Sequence, residues 1–101
     1  EYVRKNLGGK ILVDDLAGLL AMSPSHFSRV FKAYTSRSPM EFVTRVRIHT
    51  AHDLLLNTKT PLSRIAYQCG FSDQAHFTKT FKAQAKMLPS DVRKVNAQVA
   101  A

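Results

Sequence analysis

The sequence contains one pattern twice within 101 residues. Residues 13–34 reappear as residues 62–84, with the same order of apolar, serine, histidine and lysine positions. Matching residues lie 49 positions apart up to Ser23 and Ser72, and 50 positions apart beyond them. A register of this kind is the signature of two copies of one supersecondary unit. The chain is therefore constrained to fold as two similar halves.

Helix signals cover almost the whole chain. All four prolines are placed in the first turns of helices, where proline gives up only an amide that has no partner within the helix. No segment alternates between apolar and polar residues with β-branched enrichment, so no strand is predicted. The predicted fold is all-α, with seven helices at about residues 1–7, 13–21, 24–35, 39–57, 61–69, 73–85 and 89–96.

Four of these helices form two pairs with a helix-turn-helix pattern, at about residues 13–35 and about residues 61–85. The long helix at about residues 39–57 joins them, so residues 1–101 are predicted to form a single DNA-binding domain. At ~1.5 Å per residue the joining helix spans roughly 28 Å, and successive major grooves on one face of DNA lie ~34 Å apart. The pattern therefore predicts two DNA-reading helices on one linker.

The second helix of each pair carries apolar residues at helical spacing. Six of them are predicted to face the core: Phe27, Val30, Phe31, Tyr34, Phe77 and Phe81. The opposite faces combine small polar side chains with cations, which suits a DNA groove because hydroxyls fit closely and cations bind phosphate or guanine. These faces carry Ser25, Ser28, Arg29 and Lys32 in the first copy, and Ala75, Thr78, Lys79 and Lys82 in the second.

The distribution of charge favours a polyanionic partner. The chain has 15 Lys and Arg against 7 Asp and Glu, which gives a net charge of +8. Most of the acids fall in the first turns of predicted helices, where a carboxylate stabilises the positive end of the helix dipole; these are Asp14, Asp15, Glu41, Asp73 and Asp91. The remaining surface is nearly all basic and attracts phosphate backbones.

One segment resembles a known family. The run IAYQCGFSDQ at residues 65–74, followed by His76-Phe77 and Thr80-Phe81-Lys82, is similar to the DNA-binding domain of the AraC/XylS family of bacterial transcription regulators. Positions within residues 42–55 of the joining helix match as well. The resemblance covers about residues 1–95, nearly the whole chain.

The resemblance implies two helix-turn-helix subdomains that bind asymmetric sites in double-stranded promoter DNA, more often as an activator than as a repressor. It implies RNA polymerase as a further partner, and an effector-binding or dimerisation domain elsewhere in a full-length regulator. It also implies a set of DNA contacts, namely Ser25, Ser28, Arg29, Gln74, Ala75, His76, Thr78 and Lys79. The chain departs from the family at Ala21, Ser36 and Lys86, where glycine is common, and at Val92, where an aromatic is usual.

Other polar clusters are predicted to be structural. His49, His52 and Asp53 have a spacing that suits metal ligands on a helix face, but three ligands crowded into one turn argue against a metal site. Cys69 is the only cysteine, which excludes an internal disulfide and fits a reducing cytoplasm; we predict a small core residue. No cofactor and no catalytic set are predicted, so an enzyme is not expected.

Two other classes of function are compatible with the same basic surface. One is a cationic helical module that binds a protein partner or an anionic membrane, but neither partner requires a duplicated turn. No apolar run approaches the ~20 residues that span a bilayer. A nonspecific DNA-packaging protein binds phosphate without regard to sequence, so its affinity falls steeply with salt and does not depend on the base sequence.

Overall fold

The computed structural model describes residues 8–9 and 13–100, and the side chains of residues 8, 9 and 14–97. Six α-helices account for most of this part of the chain: α1 (Val13–Leu19), α2 (Pro24–Thr35), α3 (Pro39–Asn57), α4 (Leu62–Gln68), α5 (Gln74–Ala85) and α6 (Pro89–Ala100). No strand occurs among the described residues, and the predicted all-α class is confirmed. The helix predicted at about residues 1–7 lies outside the described residues.

The chain divides into two compact units, Glu1–Val46 and Arg47–Ala101, and the boundary falls within α3. In the first unit α1 packs against α2. Its core is built from side chains of α1, α2 and the first turns of α3: Leu16, Ala17, Phe27 and Val43 are buried, and the Phe31 ring lies 5.6 Å from the ring of Phe27 and 5.6 Å from that of Phe42.

In the second unit α4 and α6 both pack against α5. The rings of Phe77 and Phe81 are fully buried, with centroids 5.8 Å apart, and Phe71 lies 5.3 Å from Phe77. Other buried members of this core come from α3, from α4 with the residue that follows it, and from α6. They include Ile48, Ala51, Leu55, Ile65, Ala66, Cys69 and Val92. No helix in the described ranges is long and apolar enough to cross a membrane.

The prediction that Tyr34 faces the core is wrong. Phe27 is buried and Val30 and Phe31 are half-buried, as their spacing predicts, whereas the side chain of Tyr34 is 87% exposed. Tyr34 lies in the last turn of α2, one residue before the helix ends. Helical spacing gives the direction of a side chain but not whether the core extends that far along the helix axis.

Two predicted helix starts shift by one residue and three predicted ends move. The helix α1 ends at Leu19 instead of about residue 21, and α4 ends at Gln68 instead of about residue 69. Pro61 precedes α4 as its N-cap, with φ −59° and ψ 148°, instead of being its first residue. Asp73 likewise caps α5, which begins at Gln74. The last helix continues to Ala100, four residues beyond its predicted end at 96, because no proline or glycine interrupts that segment.

Among the described residues, three other than glycine have left-handed backbone conformations. They are Ala21 (φ 54°), Ser36 (φ 64°) and Lys86 (φ 64°), and Gly70 also has a positive φ, of 88°. Ser36 and Lys86 end α2 and α5 with the same bond, because each backbone N–H donates to a carbonyl four residues earlier, Lys32 O and Lys82 O. A side chain in this region crowds the following carbonyl and costs about 1 kcal/mol.

We expect Ala21→Gly and Gly18→Ala each to raise the free energy of unfolding by about 0.5–1 kcal/mol. The first change removes the steric strain of an alanine in the left-handed region. The second adds a methyl group within α1 at a site where a Cβ meets no atom within 4 Å. Urea denaturation checks both, with Ala83→Gly on the exposed side of α5 as the control that should lose a similar amount. A loss of stability in Ala21→Gly would contradict the backbone assignment.

Candidate nucleic-acid interface

The turns that join α1 to α2 and α4 to α5 are built by the same hydrogen bonds. The Met22 N–H donates to Ala17 O at 3.0 Å, and the Phe71 N–H donates to Ala66 O at 3.0 Å. One residue earlier, the left-handed Ala21 and Gly70 donate to carbonyls three residues back, at 3.2 and 3.1 Å. The sequence repeat thus corresponds to a repeated helix-turn-helix structure.

The second helices of the two pairs are capped by different side chains. Ser23 Oγ accepts a hydrogen bond from the His26 N–H at 3.2 Å, and Asp73 Oδ1 accepts one from the His76 N–H at 2.7 Å. The structural counterpart of Ser23 is therefore Asp73, 50 positions later, and not Ser72 as the sequence match suggested. Ser72 is the extra residue of the second turn, which explains why the offset changes there from 49 to 50.

The predicted contact residues of the first copy lie on the exposed side of α2. Ser25, Arg29 and Lys32 are exposed, and Ser28 is half-buried. Positions 25, 28/29 and 32 follow one another along one helix face, so their side chains form a continuous strip. Phe27 is buried on the opposite side, which holds this strip away from the core.

The second copy repeats this arrangement on α5. Gln74, Ala75, His76, Lys79 and Lys82 are exposed, and Thr78 is half-buried. Thr78 stands 50 positions after Ser28, so the two half-buried hydroxyls occupy matching sites. The His76 ring packs edge-on against Phe71 at 5.6 Å, which fixes it beside the turn. The sequence therefore identified the exposed strips on both helices.

One acidic residue at this surface has a position that the sequence interpretation missed. Asp73 is exposed and directly precedes Gln74, so a carboxylate stands at the edge of an otherwise cationic strip. The sequence predicted Asp73 within the first turn of its helix, and the structure places it one residue before the helix, as the N-cap. An offset of 50 applied at the turn itself would have matched Asp73 to Ser23 and revealed the different charge of the two caps.

Two further groups are candidates for functional sites, namely Cys69 and the set His49, His52 and Asp53. Burial raises the pKa of the Cys69 thiol to about 11, which the nearby Arg47 charge partly opposes, so this thiol remains protonated at neutral pH. Burial likewise lowers the pKa of the Arg47 guanidinium. His49 Nε2 lies 3.8 Å from Asp53 Oδ2, whereas the His52 ring stacks on Phe81 at 6.0 Å. The described part of the chain holds no group of three His, Cys, Asp or Glu suited to a metal ion.

Comparisons with known proteins agree with this geometry. The family described as a helix-turn-helix domain matches residues 16–95. The chain is 37% identical over 82 residues to an uncharacterized HTH-type transcriptional regulator of Haemophilus influenzae, covering 81% of this chain and 28% of that protein. It is 31% identical over 93 residues to the lactose operon transcription activator of Staphylococcus xylosus, covering 92% of this chain and 33% of that protein.

The fold is also similar to solved structures. A transcriptional regulator of Chromobacterium violaceum, described as having an AraC-type DNA-binding domain, matches with a TM-score of 0.90 and 28% identity over 96% of this chain and 87% of that one. The chain spans 28% and 33% of the length of the two curated relatives. The family match and the fold similarity agree with the repeated turn and the exposed strips. The chain therefore belongs to the helix-turn-helix family of AraC-type DNA-binding domains.

Proposed function

We propose that this chain binds specific double-stranded promoter DNA through α2 and α5 as the DNA-binding part of a bacterial transcription regulator. The observation that carries the proposal is the pair of matched strips, in which cations stand beside small polar side chains on helices that follow turns with the same backbone hydrogen bonds. In helix-turn-helix proteins the second helix of the pair lies in the major groove and contacts base edges. The proposed contacts are Ser25, Ser28, Arg29, Lys32, Gln74, Ala75, His76, Thr78, Lys79 and Lys82.

We propose further that one chain places its two reading helices in successive major grooves. The helix α3 has 19 residues, and it therefore spans about 28 Å, to be compared with ~34 Å between grooves on one face of DNA. The two strips differ in sequence, so the site should be asymmetric and should not need a second copy of the chain.

Selection of binding sites from a random DNA library, followed by footprinting, tests this proposal. We expect one chain to protect roughly two turns of an asymmetric site. Titration of selected and scrambled duplexes at two salt concentrations distinguishes a regulator from a DNA-packaging protein, whose affinity depends on salt and not on sequence. A palindromic site occupied by two copies of the chain would contradict the two-headed arrangement.

The proposed partners beyond DNA follow from the relatives. Since these relatives are about three times as long as the chain, we propose an effector-binding or dimerisation domain elsewhere in the full-length protein. The Staphylococcus xylosus relative is named as a transcription activator, so we propose activation through RNA polymerase in the bacterial cytoplasm. Reporter expression from a promoter that carries the selected site tests the direction of regulation.

The carboxylate of Asp73 provides a separate prediction. Asp73→Asn keeps an oxygen that accepts from the His76 N–H, so we expect nearly unchanged stability. Removal of the negative charge beside the DNA phosphates should raise affinity for all duplexes by about 0.5–1 kcal/mol at low salt. Asp73→Ala is the control, because it loses both charge and cap and should cost about 0.5–2 kcal/mol of stability. Thermal melting and DNA titration separate the two effects, and unchanged affinity in Asp73→Asn would place Asp73 away from the DNA.

A further inference from the structure

The side chain of Arg93 in α6 holds three main-chain carbonyls. Its Nε donates to Leu55 O at 3.4 Å, its Nη1 to Thr60 O at 2.6 Å and its Nη2 to Thr58 O at 3.0 Å. Leu55 lies in the last turn of α3, and the two threonines lie in the segment 58–61 that joins α3 to α4. The planar guanidinium has several donors in a rigid fork, so it fixes three acceptors at once.

The end of α3 is closed by further side chains. Its last carbonyls have no partner within the helix and carry the negative end of the helix dipole. The Thr58 hydroxyl donates to Leu54 O at 2.6 Å and Asn96 Nδ2 donates to Leu56 O at 3.2 Å. Arg93 Nε donates to the carbonyl of Leu55, which lies between these two leucines in the sequence. Two residues of α6 therefore contribute to the cap of α3.

This clamp, formed by Arg93 and Asn96, connects α3 to the reading helix α5. The buried Val92, next to Arg93, belongs to the core of the second unit, and α6 packs against α5. The segment 58–61 is the covalent link between α3 and the second helix-turn-helix pair, and two of its carbonyls are held by Arg93. The end of α3 is thus held to the second helix-turn-helix pair by side chains of α6 as well as by the covalent link.

The clamp is not part of the repeat. The residue 50 positions before Arg93 is Val43, an apolar residue that is fully buried. If the arginine served only to complete a helix-turn-helix core, a similar residue would be expected in both copies. It occurs in the second copy, where the long helix that joins the two copies ends.

We propose that Arg93 is a positioning residue that holds the second reading helix at a defined angle to α3 and so determines which spacing between DNA half-sites the chain accepts. The proposal rests on the proposed function, because it requires both strips to contact DNA. Insertion of one base pair between half-sites moves the second half-site by ~3.4 Å and rotates it by roughly 35°, so a rigid connection should strongly favour one spacing.

The test measures dissociation constants for selected sites in which the half-site spacing is changed by one base pair in either direction. We expect the wild-type chain to lose about tenfold or more in affinity at each changed spacing. Arg93→Gln should bind the original site more weakly and lose no more than about threefold on a change of spacing. Arg93→Lys should lie between them, because one ammonium group replaces the planar fork. Lys94→Gln is the matched control, an exposed neighbour whose loss of charge should leave the spacing profile unchanged.

Several outcomes would overturn the proposal. It is wrong if Arg93→Gln is folded at the assay temperature, as judged by circular dichroism, and binds more weakly than the wild-type chain by the same factor at all three spacings. If Arg93→Gln does not fold, the same comparison is made with Arg93→Lys and with Asn96→Ala, which removes the outer bond to Leu56 O, and an unchanged profile in both contradicts the proposal. Failure of the proposed function is separate, because the wild-type chain would then bind single and paired half-sites equally well.

Discussion

Phe77→Ala is expected to lower the free energy of unfolding by about 3–5 kcal/mol. Phe77 is fully buried, and its ring contacts those of Phe71 at 5.3 Å and Phe81 at 5.8 Å. Truncation removes the transfer free energy of the ring and leaves a cavity that α5 cannot close without moving the exposed strip. Since small domains have ~5–15 kcal/mol of stability in total, urea denaturation should show a large shift of the midpoint.

Tyr34→Ala is the matched control for this prediction. Both aromatic residues lie on the second helix of a helix-turn-helix pair, but Tyr34 is 87% exposed. Its truncation should change the free energy of unfolding by no more than about 0.5 kcal/mol. Similar losses in the two variants would show that the side chain of Tyr34 is packed against the core of the first unit.

Arg29→Ala should weaken binding to the selected DNA site by about 1–3 kcal/mol and relax base preference at one position. Arg29 is the only arginine of the α2 strip and is exposed. Its planar guanidinium matches the two acceptors that guanine presents in the major groove. Fluorescence anisotropy with the selected duplex and with each single-base variant measures both effects.

Lys32→Ala is the control for Arg29→Ala, because Lys32 lies on the same strip of α2 and is also exposed. As a phosphate contact, Lys32 should contribute similarly on all sequences, and its loss should reduce the salt slope by about 1. Equal losses in both variants on selected and random duplexes would refute the assignment of Arg29 to a base.

Much of the fold and of the candidate interface follows from the sequence. The duplicated pattern predicts two helix-turn-helix pairs, and the prolines at 24, 39 and 89 stand at the first residues of α2, α3 and α6. The period of Phe77 and Phe81 places them inside and the residues of the strip outside, because one apolar face must be buried and leaves the other exposed. Local chemistry and helical period are properties of a short segment, so they can be read without the rest of the chain.

The tertiary structure decided what depends on contacts between distant segments. The exposure of Tyr34 depends on where the core of the first unit ends, and period alone does not contain that information. The cap at Asp73 depends on how one extra residue is accommodated in the second turn. Arg93 reads in the sequence as one more surface cation, and the fold places its guanidinium against carbonyls that lie 33, 35 and 38 positions earlier. The sequence by itself determined the helices, their repeat and their exposed faces, because these arise from neighbouring residues. Only the tertiary structure brings the side chains of α6 to the carbonyls at the end of α3, because these segments are distant in the chain.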